Sequence, residues 1–144
     1  MIHSFEKKTK KYWDLEYKKK LKFQRKYPSE ELSRYIGRNY IGLSSLNKKK
    51  INILDVGCGI GNNLNLLINE NFNSYGLDLS YECISYLEEL YKGKKNKPTL
   101  KVGNMKSLPF NNKMFNLIID IFSSYALNKS DGQIFINEVC RCLK

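Results

Sequence analysis

The residues with the clearest chemical potential lie in ILDVGCGIGNN, residues 53–63, where Gly57, Gly59 and Gly61 follow an apolar run. A turn that leaves a strand and opens a helix exposes backbone N–H groups and the positive end of a helix dipole. Because glycine has no Cβ, such a turn also lets a polar or anionic ligand approach the backbone closely. The pattern predicts a ligand-binding turn.

The spacing of these glycines argues against a dinucleotide. The dinucleotide fingerprint has the order G-x-G-x-x-G, and counting from Gly57 its third glycine position holds Asn62. The chain instead carries D-x-G-x-G-x-G, which begins at Asp55. Two further polar residues follow apolar runs downstream, namely Asp78 in YGLDLS and Asn104 in VGNMKSLPF.

The elements that must position these residues alternate between strands and helices after residue 51. Short apolar runs predict strands at INILDV, NSYGLD, TLKVG and FNLIIDIF, and apolar residues at helical spacing follow the first two. Repeated strand–helix–strand units form right-handed crossovers and give a parallel sheet with helices on both faces. We therefore predict a doubly wound α/β fold whose binding crevice lies at the carboxyl ends of the strands.

The last predicted helix supplies a capping signal and an apolar face. Ser130 and Gln133 have the spacing of a capping box, which predicts that Ser130 caps the helix. The predicted apolar face of this helix consists of Phe135, Ile136, Val139, Cys140 and Leu143.

Residues 1–50, the N-terminal arm, are strongly basic. They contain 15 lysines and arginines against five acidic residues, whereas residues 51–144 contain ten against nine. Trp13, Tyr17 and Leu21 predict one helix, Ser29 is placed to cap a second, and GLSSLNKKK is predicted to be a polar linker. The charge fits either a solvated helix face or a surface for phosphates or an anionic membrane.

Composition bounds the remaining possibilities. A length of 144 residues fits one globular domain. The four cysteines form no CxxC pair and His3 is the single histidine, so we predict no metal site. No apolar run reaches the roughly twenty residues of a membrane span, and the N-terminus lacks an apolar signal segment. These features predict a soluble, cytoplasmic protein with reduced thiols.

The ordered succession of motifs resembles the class I S-adenosylmethionine-dependent methyltransferases. D-x-G-x-G-x-G is similar to their first motif, VGNMKSLPF to their third-strand segment G-D-x-x-x-L-P-F, and FNLIID to their fourth strand F-D-x-[IV]. INEVCRCLK looks like the helix that continues into L-K-P-G-G, and KYWDLEY with YPSEELSRYI is similar to the N-terminal region of small bacterial members. The resemblance extends over nearly the whole chain.

This resemblance implies S-adenosylmethionine as cofactor and a Rossmann-like core with strand order 3-2-1-4. It implies that the glycines pack against the methionine and ribose part of the cofactor and that Asp55 orients the turn and the cofactor's ammonium group. It also implies that Asp78 accepts from both ribose hydroxyls. It also places Asn104 and the backbone of Met105 at the adenine edge. The implied cofactor-binding positions are Asp55, Gly57, Cys58, Gly59, Gly61, Asp78, Leu79, Asn104, Met105 and Asp120.

The sequence departs from the family pattern at three places. Asn104 replaces the commoner aspartate, and after the fourth strand, where many relatives have a histidine, DIFSSYALNK offers Tyr125, Asn128 and Asp120. No catalytic base is assigned. The chain stops at Lys144, where relatives continue into a fifth strand, so we expect a C-terminally incomplete core at residues 51–144. Residues 1–50 are expected to form an arm or lid.

The expected function is methyl transfer to a small metabolite, lipid or sugar. A tRNA or rRNA acceptor is the alternative, since Tyr12, Trp13, Tyr17 and Tyr27 stand among lysines and are able to stack on bases. A non-catalytic remnant that still binds the cofactor is a further alternative. The sequence leaves the oligomeric state open.

Overall fold

The computed structural model describes residues 2–20 and 27–144 of the chain. These residues form six α-helices and four strands, and after residue 51 the strands and helices follow one another in the predicted order. The helices are α1 (Ile2–Lys20), α2 (Glu30–Tyr40), α3 (Ser45–Lys48), α4 (Asn62–Asn69), α5 (Tyr81–Leu90) and α6 (Lys129–Cys142). The strands are β1 (Asn52–Val56), β2 (Asn73–Asp78), β3 (Thr99–Val102) and β4 (Leu117–Asp120).

The strands form one parallel sheet in the order β3-β2-β1-β4. In the register, Asp55 of β1 lies beside Gly76 of β2, and Val56 lies between Leu77 of β2 and Asp120 of β4. Asp78 lies beside Val102 of β3. The predicted doubly wound fold and its strand order 3-2-1-4 are confirmed, and the carboxyl ends of all four strands meet at one edge.

Alternate residues of β1 face two separate cores. Ile53 packs with Leu64, Leu67 and Leu87 from α4 and α5 on one face of the sheet. Leu54 and Val56 belong to a second core on the other face, which contains Phe115 together with Phe135 and Cys142 of α6. Because side chains of a strand alternate between faces, one short apolar strand serves both cores. The sheet therefore has helices on both sides.

All three helices of the arm contact the core, α1 through Asp14 and Ser80, the start of α2 through Ser29 and Asn63, and α3 through Lys48 and Glu70. Ser29 accepts a hydrogen bond from the N–H of Leu32, 3.0 Å away, which confirms the predicted cap of α2. The predicted linker is instead partly helical: Lys48 of α3 is buried and its Nζ lies 2.5 Å from Glu70 Oε2. Leu21 of the predicted apolar stripe lies outside the described residues.

The N-cap of helix α6 lies two residues before the predicted cap. Asn128 is the N-cap and accepts from the N–H of Asp131 at 2.9 Å, so the prediction for Ser130 is wrong. Phe135 is buried as predicted, but Ile136 and Cys140 are exposed. Of the helices that the structure describes, none is both long and apolar enough to span a bilayer.

Candidate functional site

The glycine turn, residues 57–61, has the conformation that its sequence predicts. The φ angles of Gly57, Gly59 and Gly61 are +69°, +50° and +84°, a left-handed region that glycine adopts without steric cost. Gly61 is also the N-cap of α4 and offers no side-chain cap. The turn therefore joins β1 to α4 through backbone geometry alone.

Four of the five N–H groups of this turn donate hydrogen bonds within the chain, contrary to the expectation that they are exposed to a ligand. Those of Gly57 and Cys58 both donate to the Leu77 carbonyl of β2, at 2.7 and 3.0 Å. The N–H of Gly59 donates to Asp78 Oδ2 at 2.9 Å, and that of Gly61 donates to the Cys58 carbonyl at 2.9 Å. The turn is thus hydrogen-bonded to the neighbouring strand β2. Through the N–H of Gly59 it also holds the carboxylate of Asp78 in place.

Distant side chains of the same chain lie directly against the glycines. A Cβ on Gly57 would stand 2.0 Å from Ser123 Oγ, and a Cβ on Gly59 would stand 3.0 Å from the hydroxyl oxygen of Tyr17. A Cβ on Gly61 would lie 2.7 Å from Leu87 Cδ2 of α5. Packing excludes a side chain at Gly57, whereas at Gly59 and Gly61 the end of the neighbouring side chain would have to move. The positive φ angle disfavours a side chain at all three positions.

Asp78 ends β2 with its carboxylate fixed by two backbone donors. Its Oδ2 accepts from the N–H of Gly59, and its Oδ1 accepts from the N–H of Ser80 at 2.8 Å. The residue is only 7% exposed. Burial raises the pKa of Asp78, the two backbone donors oppose that rise, and the negative charge of Asp14 adds to it. The carboxylate is thus held in one orientation. Each of its oxygens accepts one backbone hydrogen bond and has a second lone pair with which to accept another.

Asp55 lies fully buried beneath the turn. Among the side-chain atoms that the structure describes, its Oδ2 is the one buried oxygen without a hydrogen-bond partner. Burial raises the pKa of Asp55 to about 7, a hydrogen bond from Asn63 opposes the rise, and Asp78 and Asp120 add to it. Asn63 in turn accepts from the N–H of Ser29 at 3.1 Å, so this carboxyl is connected to the beginning of α2.

Asp120 organises the turn after β4, residues 121–127. Its carboxylate accepts from the N–H groups of Ser123 and Ser124, at 3.0 and 3.2 Å. Phe122 has a φ of +63°, which is uncommon for a residue with a side chain, and the ring is 83% exposed. This turn brings Ser123 over Gly57, where Ser123 Oγ donates to the Val56 carbonyl at 3.0 Å.

Asn104 also forms a local turn. Its Oδ1 accepts from the N–H of Lys106 at 2.9 Å, and its backbone carbonyl accepts from the N–H of Ser107 at 3.0 Å. Lys106 reaches Asp131 of α6, with Nζ 3.1 Å from Oδ2. The segment after β3 is thereby connected to α6.

A cavity of about 440 Å³ lies at the carboxyl ends of the strands, and we call it the strand-end cavity. This volume falls within the range of small-molecule sites. Five of the ten predicted cofactor positions line it: Gly57, Asp78, Leu79, Asn104 and Met105. The other five stand behind the lining: Asp55 and Cys58 are buried, Gly59 is covered by Tyr17, Gly61 packs on Leu87, and Asp120 holds its turn.

Most of the opposite wall of the cavity was not predicted as part of the site, although Tyr125 was named where many relatives have a histidine. This wall consists of Tyr12, Trp13 and Tyr17 of α1 and of Ser123 and Tyr125 after β4. Sequence reasoning assigned Trp13 and Tyr17 to an apolar stripe or to base stacking and gave Ser123 no role. No local signal identifies them, because they reach the cavity through contacts between segments more than 40 residues apart.

Comparison with known proteins gives a consistent result. A family model described as a methyltransferase domain matches residues 53–144. An uncharacterised protein of Methanocaldococcus jannaschii is 40% identical over 92 residues, which are 64% of this chain and 32% of that protein. This chain thus spans about a third of that curated relative.

Solved structures share the fold. A protein of Pyrococcus horikoshii superposes with a TM-score of 0.63 at 26% identity, over 81% of this chain and 55% of that one. An S-adenosylmethionine-dependent methyltransferase of Methanosarcina mazei superposes with a TM-score of 0.58 at 27% identity, over 65% of this chain and 47% of that one. This chain spans about half of each structure.

Proposed function

The chain belongs to the methyltransferase domain family, and we propose that it binds S-adenosylmethionine in the strand-end cavity and transfers the methyl group to a small metabolite, lipid or sugar. The observation that carries this proposal is the placement of Asp78. Its buried carboxylate stands in the cavity wall beside the glycine turn, fixed by the N–H groups of Gly59 and Ser80. A carboxylate held in this way is suited to accept hydrogen bonds from vicinal hydroxyls.

The described residues fit the proposed cofactor. Asp78 would accept from the ribose hydroxyls, and Gly57, which lines the cavity, would lie against the cofactor. Leu79 and Met105 supply apolar wall, and Asn104 adds polar groups after β3. The unpartnered Oδ2 of Asp55 lies behind the turn, where a buried carboxylate favours a positively charged group. These roles are part of the proposal.

When bound, the cofactor supplies a methyl group on a positively charged sulfur that is readily displaced. The protein's part is alignment and exclusion of water, which supply much of the acceleration in such transfers. We assign no general base, since Asp120 is engaged by two backbone N–H groups and Tyr125 is largely exposed. A base is needed only for acceptors that must lose a proton early.

The arm is proposed to act as a lid over a core formed by residues 51–144. Three contacts support this role: Asp14 meets Ser80, Tyr17 covers Gly59, and Ser29 meets Asn63. Each contact joins the arm to a residue beside the glycine turn or Asp78. The acceptor would then enter between α1 and the turn after β4, where Tyr12 and Tyr125 line the cavity.

Isothermal titration with S-adenosylmethionine and with S-adenosylhomocysteine tests the proposal. We expect saturable binding of both at one site per chain. If well-folded protein binds neither compound, the proposed function is wrong. If the protein binds these compounds but transfers no methyl group to any acceptor tested, the alternative of a non-catalytic, cofactor-binding protein is favoured.

A second candidate acceptor is RNA, and the exposure of two arm tyrosines favours it. Tyr27 is 83% exposed and Tyr12 56% exposed, and α1 presents lysines on both sides of Tyr12. Exposed aromatic rings among cations are typical of surfaces that stack on unpaired bases.

Salt dependence separates the two candidates. If the arm binds phosphates, the affinity for single-stranded RNA falls steeply between about 50 and 200 mM salt through counterion release. Binding that is absent, or that does not weaken with salt, contradicts the RNA candidate. Binding of S-adenosylhomocysteine serves as an internal control, since it involves no polyanion.

A further inference from the structure

We propose that two residues of α1, Asp14 and Tyr17, belong to the cofactor site: Asp14 positions Asp78 through Ser80, and Tyr17 covers the glycine turn. This inference rests on the proposed function. Its consequence is that cofactor affinity depends on the docking of an arm that lies outside the residues matched by the family model, 53–144.

The connection from Asp14 to Asp78 runs through one fully buried serine. Ser80 Oγ donates to Asp14 Oδ1 at 2.5 Å, while the N–H of the same serine donates to Asp78 Oδ1 at 2.8 Å. Ser80 is 0% exposed, so neither hydrogen bond is readily replaced by one to water. Asp14 therefore holds Ser80 in place, and Ser80 in turn holds Oδ1 of Asp78, the proposed ribose-binding residue.

Further contacts keep Asp14 in this place. Its Oδ1 also lies 3.5 Å from the N–H of Glu82 in the first turn of α5. Lys18, one turn along α1, forms an ion pair with Glu82, with Nζ 3.0 Å from Oε1. Helix α1 is thus docked on the N-terminal turn of α5, directly after Asp78.

Tyr17 lies beside Gly59, whose N–H fixes the other oxygen of Asp78. Its hydroxyl lies over Gly59, at 3.0 Å from the position that a Cβ would take there, and the N–H of Gly59 donates to Asp78 Oδ2. The ring also lines the strand-end cavity beside Trp13, with ring centroids 5.8 Å apart. Tyr17 therefore shields the Gly59–Asp78 hydrogen bond from water and forms cavity wall.

The charges around Asp78 give the two residues a measurable signature. The titratable groups that face it are Asp14 and Tyr17 of α1, Asp55 of β1, Cys58 of the glycine turn and Cys83 of α5. Burial raises the pKa of Tyr17, and the charge of Asp78 raises it further, so the phenol stays neutral. The charge of Asp14 raises the pKa of Asp78, so its removal lowers that pKa.

The test measures S-adenosylhomocysteine affinity of the full chain by calorimetry against pH for Asp14→Ala, Asp14→Asn and Tyr17→Phe. We expect Asp14→Ala to weaken binding about tenfold, the loss of one charge-assisted hydrogen bond. Asp14→Asn keeps the acceptor for Ser80, so it should restore most of the affinity while the acid limb of binding moves to lower pH. Tyr17→Phe should weaken binding about threefold or more, because the hydroxyl over Gly59 is lost.

Tyr35→Phe is the matched control, since Tyr35 lies on α2, is partly exposed and does not line the cavity. Trp13, the chain's single tryptophan, gives a second readout through its emission on titration. Thermal unfolding of each variant confirms that it is folded.

The failure of this inference is distinguishable from that of the proposed function. If the wild type binds neither S-adenosylmethionine nor S-adenosylhomocysteine, both are wrong. If the wild type binds but Asp14→Ala and Tyr17→Phe keep its affinity, its pH profile and its Trp13 response, this inference alone is overturned. Weakening in both variants, with Tyr35→Phe unchanged, supports it.

Discussion

Two buried carboxylates at the ends of neighbouring strands differ in their hydrogen bonding. Asp78 receives two backbone N–H groups, whereas Asp55 keeps one oxygen without a partner. Both residues stand out in the sequence, because each lies at or near the end of a short apolar run that predicts a strand. The sequence did not predict Ser123 or Tyr17, whose positions over Gly57 and Gly59 depend on long-range packing.

At this scale the structure predicts a pH dependence of stability that Asp55 causes. Since its folded pKa is about 7 and its ordinary value is 3.8, the native state keeps a proton that the unfolded chain releases. The free energy of unfolding should therefore fall as pH rises from about 4 to 7 and then level off. Asp55→Asn cannot titrate, so its stability relative to wild type should rise across that window by up to about 4 kcal/mol.

Chemical denaturation at several pH values measures this effect, with Glu89→Gln as a control at an exposed carboxylate. A stability difference between Asp55→Asn and wild type that is constant with pH contradicts the assignment. A fall in the stability of Asp55→Asn relative to wild type as pH rises contradicts it as well.

At the scale of elements, the strands were predicted more closely than the helix ends. β2 coincides with NSYGLD, because a buried parallel strand between turn residues has a strong local signature. The start of α6 was misplaced because Asn128 and Ser130 are both good caps and only the path of the preceding turn selects Asn128. The linker was misjudged because burial of Lys48 depends on Glu70, 22 residues away.

The cap of α6 gives a prediction with an internal control. Asn128→Ala should destabilise the protein by about 1 kcal/mol, since the N–H of Asp131 loses its acceptor. Ser130→Ala should change stability by only a few tenths of a kcal/mol, because Ser130 donates to Asn128 but caps no backbone group in the described structure. Thermal or urea unfolding of both variants makes the comparison, and equal losses would show that the cap is wrongly assigned.

At the scale of the molecule, the basic arm and the nearly neutral core meet at the cavity. Composition predicted the charge asymmetry, but it did not show that α1 and α2 contact the surroundings of both buried carboxylates. Such contacts are tertiary and leave no pattern within the arm itself. Through these contacts the arm is part of the proposed cofactor site, whether or not its positive charge also binds RNA.

The central claim is that Asp78 and the glycine turn form a site for S-adenosylmethionine. Its most direct test is calorimetric titration of wild type, Asp78→Asn and the surface control Glu89→Gln with S-adenosylhomocysteine. We predict that wild type and Glu89→Gln bind equally and that Asp78→Asn loses about 1–3 kcal/mol of binding free energy, because a charged acceptor is removed. Equal affinity of Asp78→Asn and wild type, or no binding by folded wild type, would contradict the claim.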